Sequence, residues 1–231
     1  MFFSCKTPIQ YTNTYFYQSV DSTQISDILA EKLIAPYRDS LEKEMNQVIA
    51  VSEIEMPKEK NKSETLLGNF VADLCYQVVT EDMHLKVDFC LLNNGGLRTS
   101  LPKGEITRGK IFELMPFDNE LVIVQMTPLK AIEMLDYIKN IGGQPISGSK
   151  LEFTKSTELL LKEISKKDTI NILTSDYLAS GGDKMTFFFQ PISTVQTHKK
   201  VRDAIIEYCI IENKKGNQLK STIDGRIQFN Q

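Results

Sequence analysis

The spacing of apolar residues along the chain predicts five helices. The first carries Pro36, which we expect to break or kink it. Ser63 precedes the second as its predicted N-cap, and Thr107 precedes the third. Pro128 begins the fourth at the first helical position, which proline favours. The predicted helices cover residues 25–45, 64–79, 108–114, 128–141 and 201–209.

Shorter apolar or alternating runs predict strands. They cover residues 47–56, 87–92, 120–126, 147–153, 169–174, 185–189 and 223–229. Because helices and strands mix without a strict repeat, we expect an α+β fold, a single domain with a mixed β-sheet flanked by helices. The polar, aperiodic start of the chain indicates a lead-in over residues 1–23, so this domain is expected at residues 24–231.

Composition narrows the classes of function. The 231 residues are 41% hydrophobic and 25% charged, as in ordinary globular proteins. The net charge of −3 supplies no basic field, so we expect no nucleic-acid partner, and an anionic ligand would need a local cationic site. No apolar run reaches the length of about 18 residues that a membrane-spanning helix needs.

The four cysteines predict no metal site, because no C-x-x-C pair occurs among them. Two disulfides are conceivable, but we favour buried free thiols. The cysteines are Cys5, Cys75, Cys90 and Cys209.

The sequence Met1-Phe2-Phe3-Ser4-Cys5-Lys6 resembles the end of a bacterial lipoprotein signal, in which a small residue precedes an acylated cysteine. The charged start and most of the apolar stretch of such a signal do not occur here. Either translation starts upstream or the likeness is a coincidence. The lipoprotein interpretation implies a lipid anchor at Cys5 and a location in the bacterial cell envelope or periplasm.

A glycine-rich segment, Asn93-Asn94-Gly95-Gly96-Leu97-Arg98, follows the predicted strand 87–92. Its glycines permit positive φ and close approach of a ligand to the backbone. The planar guanidinium of Arg98 fits a phosphate or carboxylate. The alternative is a tight turn that ends in a surface arginine.

Two further loops place an aromatic ring beside polar groups. Phe117 lies between Pro116 and a polar turn, where a ring can stack on a base, although an ordinary core position is the commoner explanation. Tyr177 and Asp183 flank a glycine turn, where they could form a second stacking plate and a hydrogen-bond acceptor for ribose hydroxyls. The alternative is a loop with a capping aspartate.

Six segments together resemble the C-terminal domain of the 5'-nucleotidase and UDP-sugar hydrolase family, in the family's order and over roughly residues 24–231. They are Glu64–Asp73 (E-x-x-x-G-N-L-x-x-D-A in the family), Asn93–Arg98 (N-G-G-G-I-R), Pro102–Gly109 (P-x-G-x-I-T-x-G), Pro116–Val122 (P-F-x-N-x-L-V), Tyr177–Asp183 (F-L-A-x-G-G-D) and Asp224–Ile227 (D-G-R-I).

The resemblance implies that this domain holds the nucleoside part of a nucleotide. It places Asn93 at a substrate-contacting position and Arg98 at a phosphate-contacting one. Phe117 and Tyr177 match the two plates of a base clamp, and Asp183 matches the carboxylate that binds ribose hydroxyls.

The chain departs from the family pattern at three places. Tyr177 stands where Phe is usual, and its ring keeps the face needed for stacking. Asn94 replaces the first glycine, and we expect asparagine to tolerate a left-handed backbone there. Lys58 could replace an upstream arginine of the family as a point charge, although a solvated lysine loop is the default interpretation.

In the family, hydrolysis belongs to an N-terminal metallophosphoesterase domain with two metal ions. These 231 residues contain only His84 and His198, and Asp82-Met83-His84 is interpreted as a chance D-x-H. We therefore expect no catalytic residue and no cofactor on this chain, and divalent metals on a partner metallophosphoesterase.

Three functions compete, and whether the chain is an enzyme stays open. The favoured one is the nucleotide-binding part of a two-chain 5'-nucleotidase that acts in nucleotide catabolism. The alternative is a non-catalytic nucleoside or nucleotide-sugar binding protein of the cell envelope. A third is a structural domain that inherited the fold alone.

Overall fold

A computed structural model describes residues 14–21, 23–148, 151–153 and 164–229. The chain forms two compact units, Met1–Leu41 and Glu42–Gln231. Helix α1 spans Ile28–Met45 and has no buried residue. It continues through Pro36, so a break there is wrong, while a kink stays a prediction. The domain boundary at residue 24 stays a prediction.

The second unit contains most of the secondary structure, in mixed order. Its strands are β1 (Val48–Ser52), β2 (Phe89–Leu91), β3 (Gly104–Thr107), β4 (Glu120–Met126), β5 (Ile146–Ser147), β6 (Leu151–Phe153), β7 (Ile170–Ser175), β8 (Ser193–Lys200) and β9 (Ile227–Phe229). Its helices are α2 (Leu66–Gln77, extended by a π-helical turn at Val78–Asp82), α3 (Arg108–Leu114), α4 (Pro128–Asn140), α5 (Asp176–Ala179) and α6 (Val201–Lys214).

The central sheet has five strands in the order β5-β2-β7-β4-β8. Strand β2 runs parallel to β7, while the other neighbouring pairs are antiparallel. Two small sheets accompany it, an antiparallel β1–β3 pair and a parallel β6–β9 pair. The sheet is mixed and helices flank it, which confirms the predicted α+β fold.

The core lies on both faces of the central sheet, because successive side chains of β4 point to opposite faces. Leu121 and Ile123 join an apolar cluster with helices α2 and α6. Val122 and Val124 point the other way and join a cluster with α4. Side chains that alternate across a strand therefore bind helices to opposite faces.

Several loops lie at one edge of this sheet, the edge formed by strand ends. The parallel strands β2 and β7 end on the same side. Strand β4 begins there, because Leu121 pairs with Ser175 at the end of β7. Strand β8 ends there too, because Lys200 pairs with Glu120. The segments after β2, β7 and β8 and the segment before β4 therefore converge.

The predicted starts of α3 and α4 are confirmed, whereas the predicted start of α2 is wrong. Thr107 caps α3 by accepting a hydrogen bond from the backbone N–H of Lys110, and Pro128 lies in the first turn of α4, as predicted. The cap of α2 is Thr65 rather than Ser63, since the Thr65 hydroxyl accepts from the N–H of Gly68 at 2.9 Å. The helix therefore starts later than predicted.

Several strand predictions differ from the structure, and β3 was not predicted. The run 185–189 forms short 3₁₀ turns with buried Phe187 and Phe188, since a short apolar run does not reveal its backbone conformation. Strand β8 was missed because this edge strand is polar and mostly exposed. The single strand predicted at 147–153 is divided between β5 and β6, which belong to different sheets.

Cys75, Cys90 and Cys209 are buried free thiols, which confirms that prediction for three of the four cysteines. Burial raises the pKa of Cys75 and of Cys209 to about 12. Cys5 and the rest of the lipoprotein-like segment lie outside the described residues. Within the part of the chain that the structure describes, no helix is long and apolar enough to cross a membrane.

A buried arginine joins the C-terminal segment to helix α2. Arg226 is 8% exposed and donates to both carboxylate oxygens of Asp73, at 2.6 and 2.9 Å. It also donates to Asp224, at 3.0 Å, and to the carbonyl of Ile146, at 2.8 Å. Two of the six motif segments, which begin at Glu64 and at Asp224, therefore brace one another, and their shared role is structural.

We expect Arg226→Met to destabilise the fold. Breaking a buried ion pair leaves unpaired charge, and because Asp73 and Asp224 are partly exposed we expect a loss of about 2–3 kcal/mol in the free energy of unfolding. Urea denaturation followed by circular dichroism measures it. Arg38→Met is the matched control, because the Arg38–Glu31 pair is exposed and worth about 0–1 kcal/mol. Equal losses in the two variants would contradict the structural role of Arg226.

Candidate functional site

The five residues predicted to bind a ligand line one cavity of about 290 Å³ at the edge where the loops converge. We call this cavity the edge cleft. Asn93 and Arg98 follow β2, Phe117 precedes β4, and Tyr177 and Asp183 follow β7. Strand topology therefore brings together side chains that lie up to 90 residues apart in sequence.

Asp183 is the most heavily bonded residue of the edge cleft. One carboxylate oxygen accepts from Asn93 Nδ2 at 2.6 Å, and the other accepts from the Tyr177 hydroxyl at 3.0 Å. The Asp183 backbone has φ +51°, a left-handed conformation that is uncommon outside glycine. Its N–H donates to the Tyr177 hydroxyl at 3.3 Å, and its carbonyl accepts from the Tyr137 hydroxyl at 2.8 Å.

The glycines after Asn93 do not adopt the positive φ that was expected of them, whereas the close approach of a ligand to their backbone stays a prediction. Residues 94–96 form a 3₁₀ turn and none of them has positive φ, so Asn94 needs no left-handed backbone. A Cβ on Gly96 would lie 2.9 Å from Asn93 Oδ1, and one on Gly95 would lie 3.3 Å from Asn93 Nδ2. The glycines therefore make room for the amide of Asn93.

Phe117 and Arg98 lie side by side at the mouth of the edge cleft. The guanidinium carbon of Arg98 is 5.9 Å from the centroid of the Phe117 ring, and Arg98 also donates to the carbonyl of Gly95 at 3.2 Å. Phe117 is 41% exposed, so the explanation as an ordinary core residue is wrong. A cation and an aromatic face are thus both open to a ligand.

Tyr177 lies in the first turn of α5 rather than in a loop. Ser175 caps this turn by accepting from the N–H of Leu178. The ring of Tyr177 is 46% exposed, and the following loop passes very close to it. A Cβ on Gly182 would lie 2.5 Å from a ring carbon of Tyr177 and 2.6 Å from its carbonyl oxygen, so only glycine fits there.

Comparisons with known proteins agree with this architecture. The family described as "5'-nucleotidase, C-terminal domain" matches residues 48–131. Over these residues the chain is similar to the C-terminal domain of 5'-nucleotidases. This confirms the resemblance inferred from the six segments.

Two relatives and one solved structure show the extent of the similarity. The trifunctional nucleotide phosphoesterase protein of Bacillus subtilis is 24% identical over 86% of this chain and 15% of its own length. A cell wall protein of Listeria monocytogenes is 27% identical over 71% of this chain and 23% of its own. The 5'-nucleotidase precursor from Thermus thermophilus superposes with a TM-score of 0.67, at 23% identity, over 87% of this chain and 43% of its own. The chain thus spans less than half of each of these proteins.

Arg202 supports the edge cleft, and sequence reasoning missed it. It is 8% exposed, donates to the carbonyl of Phe117 at 3.2 Å, and pairs with the carboxylate of Asp118. Its guanidinium lies 4.4 Å from the centroid of the Phe112 ring. A signal was available, because Arg202 shares the apolar face of α6 with Ile205 and Ile206, where an arginine must be paired.

Asn94 and Lys58 lie beside the edge cleft. The N–H of Asn94 donates to Gln144 Oε1 at 2.8 Å. Asn94 and Gln144 line an adjoining open cavity of about 600 Å³. Partial burial, together with the charges of Arg98 and Lys60, lowers the pKa of Lys58. The Lys58 ammonium therefore lies within range of the charge of Arg98.

The described side chains provide no cluster of metal ligands. Within residues 14–21, 23–148, 151–153 and 164–229, no three His, Cys, Asp or Glu side chains are grouped so that they could hold an ion. The side chain of Asp82, in the D-x-H tripeptide, lies outside the described part. The side chains that are described do not fit a dinuclear centre.

We expect the Asp118 carboxyl to report how Arg202 holds the Phe117 loop. Hydrogen bonds from Arg202 first, and from Lys200 second, lower the pKa of Asp118. The pairing therefore stabilises the loop above about pH 5, where a free aspartate is ionised, and the stabilisation is lost as pH falls through the lower folded pKa.

Carbon-13 NMR of the Asp118 carboxyl tests this. Arg202→Met should raise its titration midpoint toward the ordinary aspartate value, and Lys200→Met should raise it less. An unchanged midpoint in Arg202→Met would show that Arg202 does not hold the loop.

Proposed function

We propose that the edge cleft binds the nucleoside part of a nucleotide, and that this chain is the substrate-binding part of a 5'-nucleotidase-type phosphohydrolase. The observation that carries the proposal is the convergence of two half-exposed aromatic rings, an arginine, an asparagine and a carboxylate on one cavity. An apolar pocket with a few convergent polar groups is the usual form of a small-molecule site.

Each group in the edge cleft suits one part of a nucleotide. Phe117 and Tyr177 offer π faces to a base, and stacking on such faces is worth about 1–3 kcal/mol per base. The carboxylate of Asp183 accepts hydrogen bonds from sugar hydroxyls. The amide of Asn93, already bonded to Asp183, keeps its oxygen toward Gly96 and lies at the entry to the turn.

Arg98 is positioned for the phosphate. The whole chain has a net charge of −3, so an anion needs a local cationic region, and Arg98 with Lys58 supplies one. Partial burial first, and repulsion by the charge of Arg98 second, lower the pKa of Lys58. A phosphate bound between them would relieve that repulsion, which favours an anionic ligand over a neutral nucleoside.

We infer that hydrolysis takes place on a metallophosphoesterase supplied by a partner, because the described side chains of this chain do not fit a dinuclear metal centre. Such a centre would activate water and stabilise the phosphoryl oxygens. The contribution of this chain is to orient the nucleotide, which supports a role in nucleotide catabolism. The Bacillus relative, named a nucleotide phosphoesterase, agrees with that role.

We also propose an extracytoplasmic location. The Listeria relative is named a cell wall protein, and the Thermus structure is of a precursor. The lipoprotein-like sequence around Cys5 fits such a location and would supply a lipid anchor in the bacterial envelope. Mass spectrometry of the native protein, with an acylated N-terminal Cys5 as the supporting result, tests the anchor.

We expect Phe117→Ala and Tyr177→Ala each to weaken nucleotide binding by about 1–3 kcal/mol, or roughly 5- to 150-fold in Kd, because each removes one stacking face. Calorimetry with AMP, adenosine and UDP-glucose at up to millimolar concentration measures the affinities. The matched controls are Phe16→Ala and Tyr17→Ala, which remove equally large but fully exposed rings. Absence of binding by the unaltered protein to all three ligands would refute the proposed site.

The partner is tested separately. We expect AMP hydrolysis by a mixture of this chain and a metallophosphoesterase encoded beside it to be faster than hydrolysis by that metal protein alone. Arg98→Met should remove the stimulation. If the mixture is no faster although nucleotide binds, the two-chain enzyme is wrong and a non-catalytic binding protein is the better account.

A further inference from the structure

The Asp183 carboxylate is held by a hydrogen bond on each of its two oxygens. Tyr177 donates to Oδ1 at 3.0 Å, and Asn93 donates to Oδ2 at 2.6 Å. A carboxylate offers about four lone-pair positions in all. One position on each oxygen therefore stays available, and two acceptors fixed side by side match two neighbouring hydroxyl donors.

The backbone of Asp183 is fixed as well. Asp183 and Lys184 both have positive φ, +51° and +64°, which costs energy for residues with a Cβ. The Tyr177 hydroxyl accepts from the N–H of Asp183, and the Tyr137 hydroxyl donates to its carbonyl. Two tyrosines thus stabilise the strained conformation that presents the carboxylate to the cleft.

The hydroxyl of Tyr177 is not needed for stacking, since a phenyl ring offers the same face. Gly182 nevertheless packs so closely that no Cβ fits beside the ring, and this close packing brings Asp183 within reach of the hydroxyl. A single side chain therefore contributes a stacking face and a hydrogen bond that orients the neighbouring acceptor.

We propose that Tyr177 is a specificity-determining residue whose hydroxyl positions Asp183, so that the discrimination of the edge cleft between a nucleoside with a ribose diol and one without it depends on Tyr177 as well as on Asp183. The inference rests on the proposed nucleoside binding. It assigns Tyr177 a positioning role that is separable from stacking, because Tyr177→Phe deletes the hydroxyl and keeps the ring.

Calorimetry on the full chain with two ligand pairs tests this: adenosine with 2',3'-dideoxyadenosine, and uridine with 2',3'-dideoxyuridine. For each pair, the ratio of the two Kd values measures the contribution of the diol. We expect Tyr177→Phe to lower this ratio about tenfold, since a hydrogen bond to a charged group contributes about that much.

Tyr76→Phe is the matched control, because the Tyr76 hydroxyl donates to the carbonyl of Val87, away from the edge cleft, and its loss should leave the ratio unchanged. An unchanged ratio in Tyr177→Phe, or an equal loss for both members of a pair, overturns the positioning role. Equal affinities of the unaltered protein for both members of each pair would also overturn it, while nucleoside binding itself would stand. No binding of any nucleoside would overturn both.

Discussion

Strands β2, β7, β4 and β8 are neighbours, and their directions place the ends of β2, β7 and β8 beside the start of β4. The edge cleft depends on this arrangement of strand ends. A parallel pair brings the glycine-rich segment against the loop of Asp183. An antiparallel neighbour brings the Phe117 loop to the same edge. Open sheets commonly bind ligands at such an edge, where loops can vary without disturbing the strands.

Two buried arginines hold in place segments that the fold brings together. Arg202 holds the carbonyl of Phe117 and the carboxylate of Asp118 from the start of α6. Arg226 holds Asp73 of α2 and Asp224 from the end of the chain. Each guanidinium has its charge paired, as burial requires. The motif residues therefore divide into those that line the cavity and those that only brace the loops or the core.

Much of this organisation could be predicted from the sequence, for reasons visible in particular residues. The apolar face of α2 and the apolar run of β4 indicated the core, and glycine-rich turns at strand ends indicated the site. Strand β8 escaped prediction because an exposed edge strand needs no apolar face. The turns around Phe187 escaped it because tertiary burial overrides local pattern.

The contacts within the site were harder to predict. That Asn93 and Tyr177 both donate to Asp183 depends on packing across 90 residues of sequence, which no spacing reveals. The close packing of Gly95 and Gly96 against the side-chain amide of Asn93 escaped prediction for the same reason. Family motifs identified the residues, whereas the structure shows which of them act together.

We propose above all that the edge cleft binds a nucleoside between two rings and an aspartate. A crystal structure of the protein with adenosine bound tests it most directly. We expect the adenine ring to lie against Phe117 and Tyr177, with the two ribose hydroxyls donating to Asp183. Adenosine bound elsewhere, or bound in the cleft with its ribose turned away from Asp183, would contradict it.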